Sequence, residues 1–168
     1  DVFTKVAVNK RDLGALRGLH SELDPDNPLR ARIALASDAL GNGFMLSELG
    51  LDIETGLTAS GSEKARAVRD VYIAVGMGAH LSQTAHAALV GVKTLPGKSA
   101  SSADMLALRS AAKRGSKAEA ALRVAKILGD KEIHALRADT ASDILFTLND
   151  AGMTDLAGSL AAQDFMAG

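Results

Sequence analysis

The side chains able to do chemistry in this chain are four histidines, a Gly-Lys-Ser triplet and twenty carboxylates. Their spacing disfavours most of that chemistry. His80 and His86 are six residues apart, and His20 and His134 stand alone. Two ligands on one helical face need a separation of three or four, so no metal is expected and each histidine reads as a packing residue. There is no Cys, which removes thiolate nucleophiles, disulfides and Cys-ligated zinc together. Neither a Gly-x-Ser-x-Gly elbow nor a His-Glu-x-x-His pair occurs. A carboxylate pair stays open as a reading, but nothing distinguishes one from ordinary surface acids.

Two glycine-rich stretches come near a nucleotide-binding turn. "GMG" (76–78) supplies two glycines of a dinucleotide turn but has Leu81 at the third position. "GVKTLPGKS" (91–99) ends like a phosphate-binding loop, but five residues separate Gly91 from Gly97. The backbone ring that cradles a phosphate needs four. The expectation is no cofactor, with 91–99 an exposed Pro-Gly loop leading into a capped helix. The chain leans non-enzymatic on these grounds.

The net charge of −1 gives no general attraction to nucleic acid or anionic lipid. It hides a segregation. Residues 93–138 hold ten Lys and Arg against four Asp and Glu, while 139–168 hold five Asp and no basic residue. The first reading is a basic face made of Arg109, Lys113, Arg114, Lys117, Arg123, Lys126, Lys131 and Arg137, binding an acidic or phosphorylated protein surface. The second is internal neutralisation, with the arginines paired to Asp139, Asp143, Asp150, Asp155 and Asp164.

These residues must be positioned by helices. Aromatics are 3% of the chain, so the core is built from aliphatics and much Ala, the best helix former. Asn9 reads as the cap of a helix carrying Leu13, Leu16, Leu19 and Leu23. Asn27 with Pro28 marks a second start, and "GNG" (41–43) ends that helix. Residues 44–59 read as irregular, and Ser60 with Glu63 has capping-box spacing for a long helix. "VFTKVAV" (2–8) is the one fair strand candidate. Residues 71–92 contain no Asp, Glu, Lys or Arg. On one continuous helix they place Ala74, Met77, Leu81, Ala85 and Leu89 on one arc and His80, Ser82, Gln83, Thr84 and His86 on the other. This polar arc argues against a membrane span and for burial against more helices or a partner.

After Pro96-Gly97, short helical units follow. Ser101 or Ser102, Ser116, Asp130, Thr140 and Thr154 are start signals, and Gly115, Gly129 and Gly152 are stops. "ALR" recurs at Ala107, Ala121 and Ala135. The fourteen-residue interval suits stacked helical units that would align Arg109, Arg123 and Arg137. The fold class is therefore all-α: one domain over 1–168 (with a subdivision conceivable near 93–100) forming a compact bundle of about seven or eight helices, partly repeat-like in its C-terminal half.

"GALRGLHS" (14–21) resembles the arginine-finger segment of secreted bacterial GTPase-activating proteins of the YopE/ExoS type, which are helical bundles. The matching positions are Gly14, Leu16, Arg17 and Ser21. The resemblance implies that Arg17 would enter a GTPase site and stabilise the transferring phosphoryl group. That family's Gln-Trp-Gly-Thr segment has no counterpart in this Trp-free chain.

The primary expectation is a non-catalytic interaction or scaffold domain, soluble and either cytoplasmic or secreted. It would be part of a larger bacterial protein, with a protein partner and self-association left open. Neither nucleic acid nor a membrane span is expected, and GTPase activation through Arg17 is the alternative.

Overall fold

The computed structural model describes residues 2–25, 27–41, 56–58, 60–92 and 95–167. Over these residues the chain is an all-α bundle. Its helices are α1 (Val2–Asn9), α2 (Leu13–Glu22), α3 (Pro28–Leu40), α4 (Gly61–Gly76), α5 (Gln83–Val90), α6 (Ser102–Lys113), α7 (Lys117–Leu128), α8 (Ala138–Asp150) and α9 (Thr154–Met166). A 3-10 turn, Ile133–Ala135, precedes α8. Among the described residues the one β-type pairing is an isolated bridge between Lys98 and Leu136.

Several caps follow the local chemistry. The Asn27 side chain accepts from the Leu29 N–H at 2.9 Å ahead of Pro28, and the Ser101 hydroxyl accepts from the Asp104 N–H at 3.1 Å. Each satisfies a donor that a helix start leaves unpaired. Ser60 and Ser116 stand at N-cap positions, but neither side chain makes a capping hydrogen bond. Thr140 lies inside α8 and Thr154 is the first residue of α9, so neither is a cap. Asp130 begins no α-helix. The "GNG" stop is described only at Gly41, the C-cap of α3. The irregular reading of 44–59 falls largely outside the described residues, as do positions 93 and 94 of the Pro-Gly loop.

Three expectations are corrected. Residues 2–8 form α1 rather than a strand, because Thr4, Ala7 and Val8 are buried where α1 packs on α2 and α9. Tertiary burial overrides the β-branched preference. The helix expected after Asn9 begins at Leu13, and its cap is Asp12, whose carboxylate accepts from the Ala15 N–H at 2.9 Å. Residues 71–92 are two helices, not one. Gly78 has a φ of +94°, which ends α4, and Ser82 caps α5 by accepting from Ala85 N–H at 3.1 Å.

The repeat also resolves unevenly. Its first two copies are α6 and α7, an antiparallel pair. The third falls on the 3-10 turn and the entry to α8. Leu108 and Leu136 are buried, but Leu122 is 70% exposed. The three copies therefore do not stack as equivalent units.

The main core runs from α1 to α9 and is centred on Leu16, Ile33, Leu108, Ile144, Leu145, Leu148 and Phe165. Glycine lets α9 approach α3 closely, since a Cβ on Gly158 would overlap the Ala39 carbonyl oxygen. A smaller cluster of Leu57, Ala67, Val68, Val71 and Ala85 joins α4 to α5. No helix among the described residues is long and apolar enough to cross a membrane.

Candidate interaction surface

The α6–α7 hairpin carries most of the sequence-predicted basic residues. Arg109 and Lys113 are on α6, Arg114 and Lys117 flank its turn, Arg123 and Lys126 are on α7, and Lys131 and Arg137 lie beyond its open end. Arg109 pairs with Asp143 of α8 at 2.7 Å, both side chains 55% exposed. Arg114 and Arg123 share Glu119 at 2.8 and 3.3 Å. Lys126 pairs with Asp104 at 2.7 Å, and Arg137 with Asp139 at 2.7 Å. Lys117 donates to the Gly152 carbonyl at 3.1 Å. Lys113 is exposed and has no ion pair among the described residues.

These contacts shift the acids involved. Hydrogen bonds from Lys126 and Ser101 hold Asp104 below the usual carboxylate range. Hydrogen bonds from Arg114 and Arg123 do the same to Glu119. Burial pushes Asp139 up, but the Arg137 hydrogen bond and the Thr140 N–H outweigh it, leaving Asp139 low. Lys98 is lowered by contact with Lys131. The two lie at the open end of the hairpin, where Lys98 is held by backbone hydrogen bonds to Ala135 O and from Arg137 N–H.

The two readings of the charge segregation therefore each describe part of the surface. Asp143 and Asp139 neutralise Arg109 and Arg137. Asp155 and Asp164 are instead taken by Arg11 and Arg69. Asp150 is exposed and makes no ion pair among the described residues. Leu106 and Leu122 stand 69% and 70% exposed on the hairpin. Leu106 lies three and seven residues before Arg109 and Lys113, and Leu122 four before Lys126, so each shares a helical face with cations.

A second charge cluster is buried, and sequence reasoning missed it. Arg69 of α4 meets Asp164 of α9 with Nη2–Oδ2 at 2.5 Å, and Asp164 is wholly buried. The same guanidinium donates to Leu136 O at 2.8 Å and Ile133 O at 3.2 Å. Arg66 pairs with Asp70 at 3.1 Å and donates to the carbonyls of Asp164, Phe165 and Ala167 that end α9. Burial is the largest influence on Asp70. With repulsion from Asp164 it prevails over Arg66 and Arg32 and pushes Asp70 up to about 6. Burial and Arg66 likewise lower Arg32. The local signal was the Arg66–Asp70 spacing of four within α4. This cluster bonds to backbone and to itself, as a structural lock would.

Arg17 is exposed on α2 and pairs with no carboxylate among the described residues. His80 and His86 are exposed. His20 is half-buried, its Nε2 accepting from Arg30 at 3.4 Å, and His134 faces Glu132 at 3.2 Å. The described residues include no group of three or more His, Cys, Asp or Glu able to hold a metal. Comparison with protein-family models, curated proteins and solved structures finds no match to this chain.

Proposed function

We propose that this chain is a non-catalytic interaction domain that binds an acidic or phosphorylated protein surface through the α6–α7 hairpin. One observation carries the reading: Leu106 and Leu122 project into solvent beside cations on the same helical faces. Apolar anchors beside arginines are how protein interfaces combine affinity with orientation. The ion pairs already there do not oppose it. An exposed pair such as Arg109–Asp143, 55% exposed on each side, contributes only ~0–1 kcal/mol, so an incoming carboxylate or phosphate displaces the internal acid at little cost. Binding of an array of acidic and phosphoserine peptides tests this. Wild type should retain a subset, and Lys113→Glu/Lys131→Glu and Leu106→Ser/Leu122→Ser should each lose it while remaining folded. Equal retention by both variants contradicts the reading.

A second reading rests on Arg17, exposed with no carboxylate partner among the described residues, as an arginine finger must be. Under that reading wild type accelerates GTP hydrolysis by a small GTPase and folded Arg17→Ala does not.

A further inference from the structure

A cleft of about 260 Å³ opens where α4 and α8 end, lined by Gly76, Met77, Gly78, Phe146, Asn149, Asp150 and Thr154. We propose that it receives an arginine side chain presented by a partner protein. It is distinct from the basic hairpin surface and does not depend on that surface's function.

The electrostatics of the cleft favour a cation. The C-terminal ends of α4 and α8 both face it, and each carries the negative end of a helix dipole. Neither helix has a basic residue in its last turn. α8 instead ends on Asp150, a carboxylate at the end of the helix where negative charge is unfavourable. Asp150 is exposed and has no ion pair among the described residues. The neighbouring α8–α9 turn already draws a cation from the chain, since Lys117 Nζ donates to Gly152 O at 3.1 Å. That contact leaves the Asp150 carboxylate unused.

The shape and remaining walls point to guanidinium. Phe146 is 60% exposed and four residues before Asp150, so ring and carboxylate share one face of α8. Across the cleft, the Asn149 amide donates to Gly76 O at 3.3 Å and contacts Met77 Sδ at 3.6 Å, which fixes that wall. A planar, weakly hydrated guanidinium stacks on an aromatic ring and forks onto a carboxylate at once. A compact, strongly hydrated ammonium does this poorly. A purely apolar side chain would cover Asp150 without pairing it, at a desolvation cost. The volume is below the roughly 300–1,000 Å³ of sites that enclose drug-sized ligands, which suits a single side chain.

The test is a titration of the full chain, followed by amide NMR shifts, with acetyl-Ala-Arg-Ala-amide and its citrulline and lysine counterparts. The arginine peptide should saturate shifts at Gly78, Phe146 and Asp150 and bind about tenfold more tightly than the neutral citrulline peptide. Asp150→Asn should weaken arginine binding by a similar factor while raising the thermal midpoint, and Phe146→Leu should weaken it severalfold. Equal binding of citrulline, or an Asp150→Asn variant that binds as wild type, overturns the cation site. Lysine binding as tightly as arginine overturns the guanidinium assignment.

Discussion

Arg69 on α4 and Asp164 on α9 are ninety-five residues apart in sequence, yet their side chains meet twice, Nε–Oδ1 at 2.8 Å and Nη2–Oδ2 at 2.5 Å, with Asp164 wholly buried. The remaining guanidinium donors reach the Ile133 and Leu136 carbonyls, so one side chain ties α4, α9 and the 3-10 turn together. Removing one partner of such a pair leaves a buried charge uncompensated. Arg69→Ala should destabilise the fold by about 3–5 kcal/mol, read from urea unfolding. The double variant Arg69→Met/Asp164→Leu should recover most of that loss. A single-variant loss near that of an exposed pair would show that the lock does not hold the helices.

Asp70 gives stability a pH dependence. Its folded value is raised to about 6 from the ordinary carboxylate value of 3.8. Between those values the folded state binds more protons than the unfolded state, so stability rises as pH falls through this window. The gain from pH 7 to pH 5 is about 1 kcal/mol. The charged groups that act on Asp70 are Arg66, Asp164 and Arg32. Asp104, Glu119 and Asp139 are depressed. Their contributions are present above the unfolded carboxylate range and lost as pH falls through their lower folded values. Unfolding free energies from pH 4.5 to 7.5 should therefore slope downward with rising pH in wild type, and Asp70→Asn should flatten the slope.

Two glycines should respond to alanine with opposite signs. Gly158 lies against the Ala39 carbonyl, where a Cβ has no room, so Gly158→Ala should cost about 1–3 kcal/mol through forced separation of α9 from α3. Gly18, inside α2, has nothing within 4 Å of its Cβ position. Gly18→Ala should stabilise by up to about 1 kcal/mol through helix propensity. Thermal unfolding of the two variants checks both signs, and a stabilised Gly158→Ala would refute the close α3–α9 contact.

Residues that act on their immediate neighbours were the legible part of the fold. Asn27 before Pro28 and Ser101 before its helix announced themselves, because a cap contacts N–H groups two or three residues away. The all-α class followed from Ala-rich, aromatic-poor composition. Long-range relationships were hidden. Nothing near Gly76 reveals that its α-carbon would place a Cβ 2.6 Å from Ser142 O, nor that the helix turns there. The basic residues were visible as a charge imbalance. Glu119 and Asp139 are taken by cations within five residues of sequence, whereas the Arg109–Asp143 and Lys126–Asp104 pairs depend on how α6, α7 and α8 lie beside one another. The cleft at Phe146 and Asp150 is likewise formed by helix ends that sequence separates.

The most direct test of the hairpin as an interaction surface is NMR shift mapping of the tightest acidic or phosphorylated peptide on the labelled wild-type chain, repeated at rising salt. The account predicts shifts concentrated at Leu106, Arg109, Lys113, Leu122 and Lys126, with affinity falling as salt screens the cations. Shifts confined to α1, α2 or α5, or an affinity indifferent to salt, would contradict it.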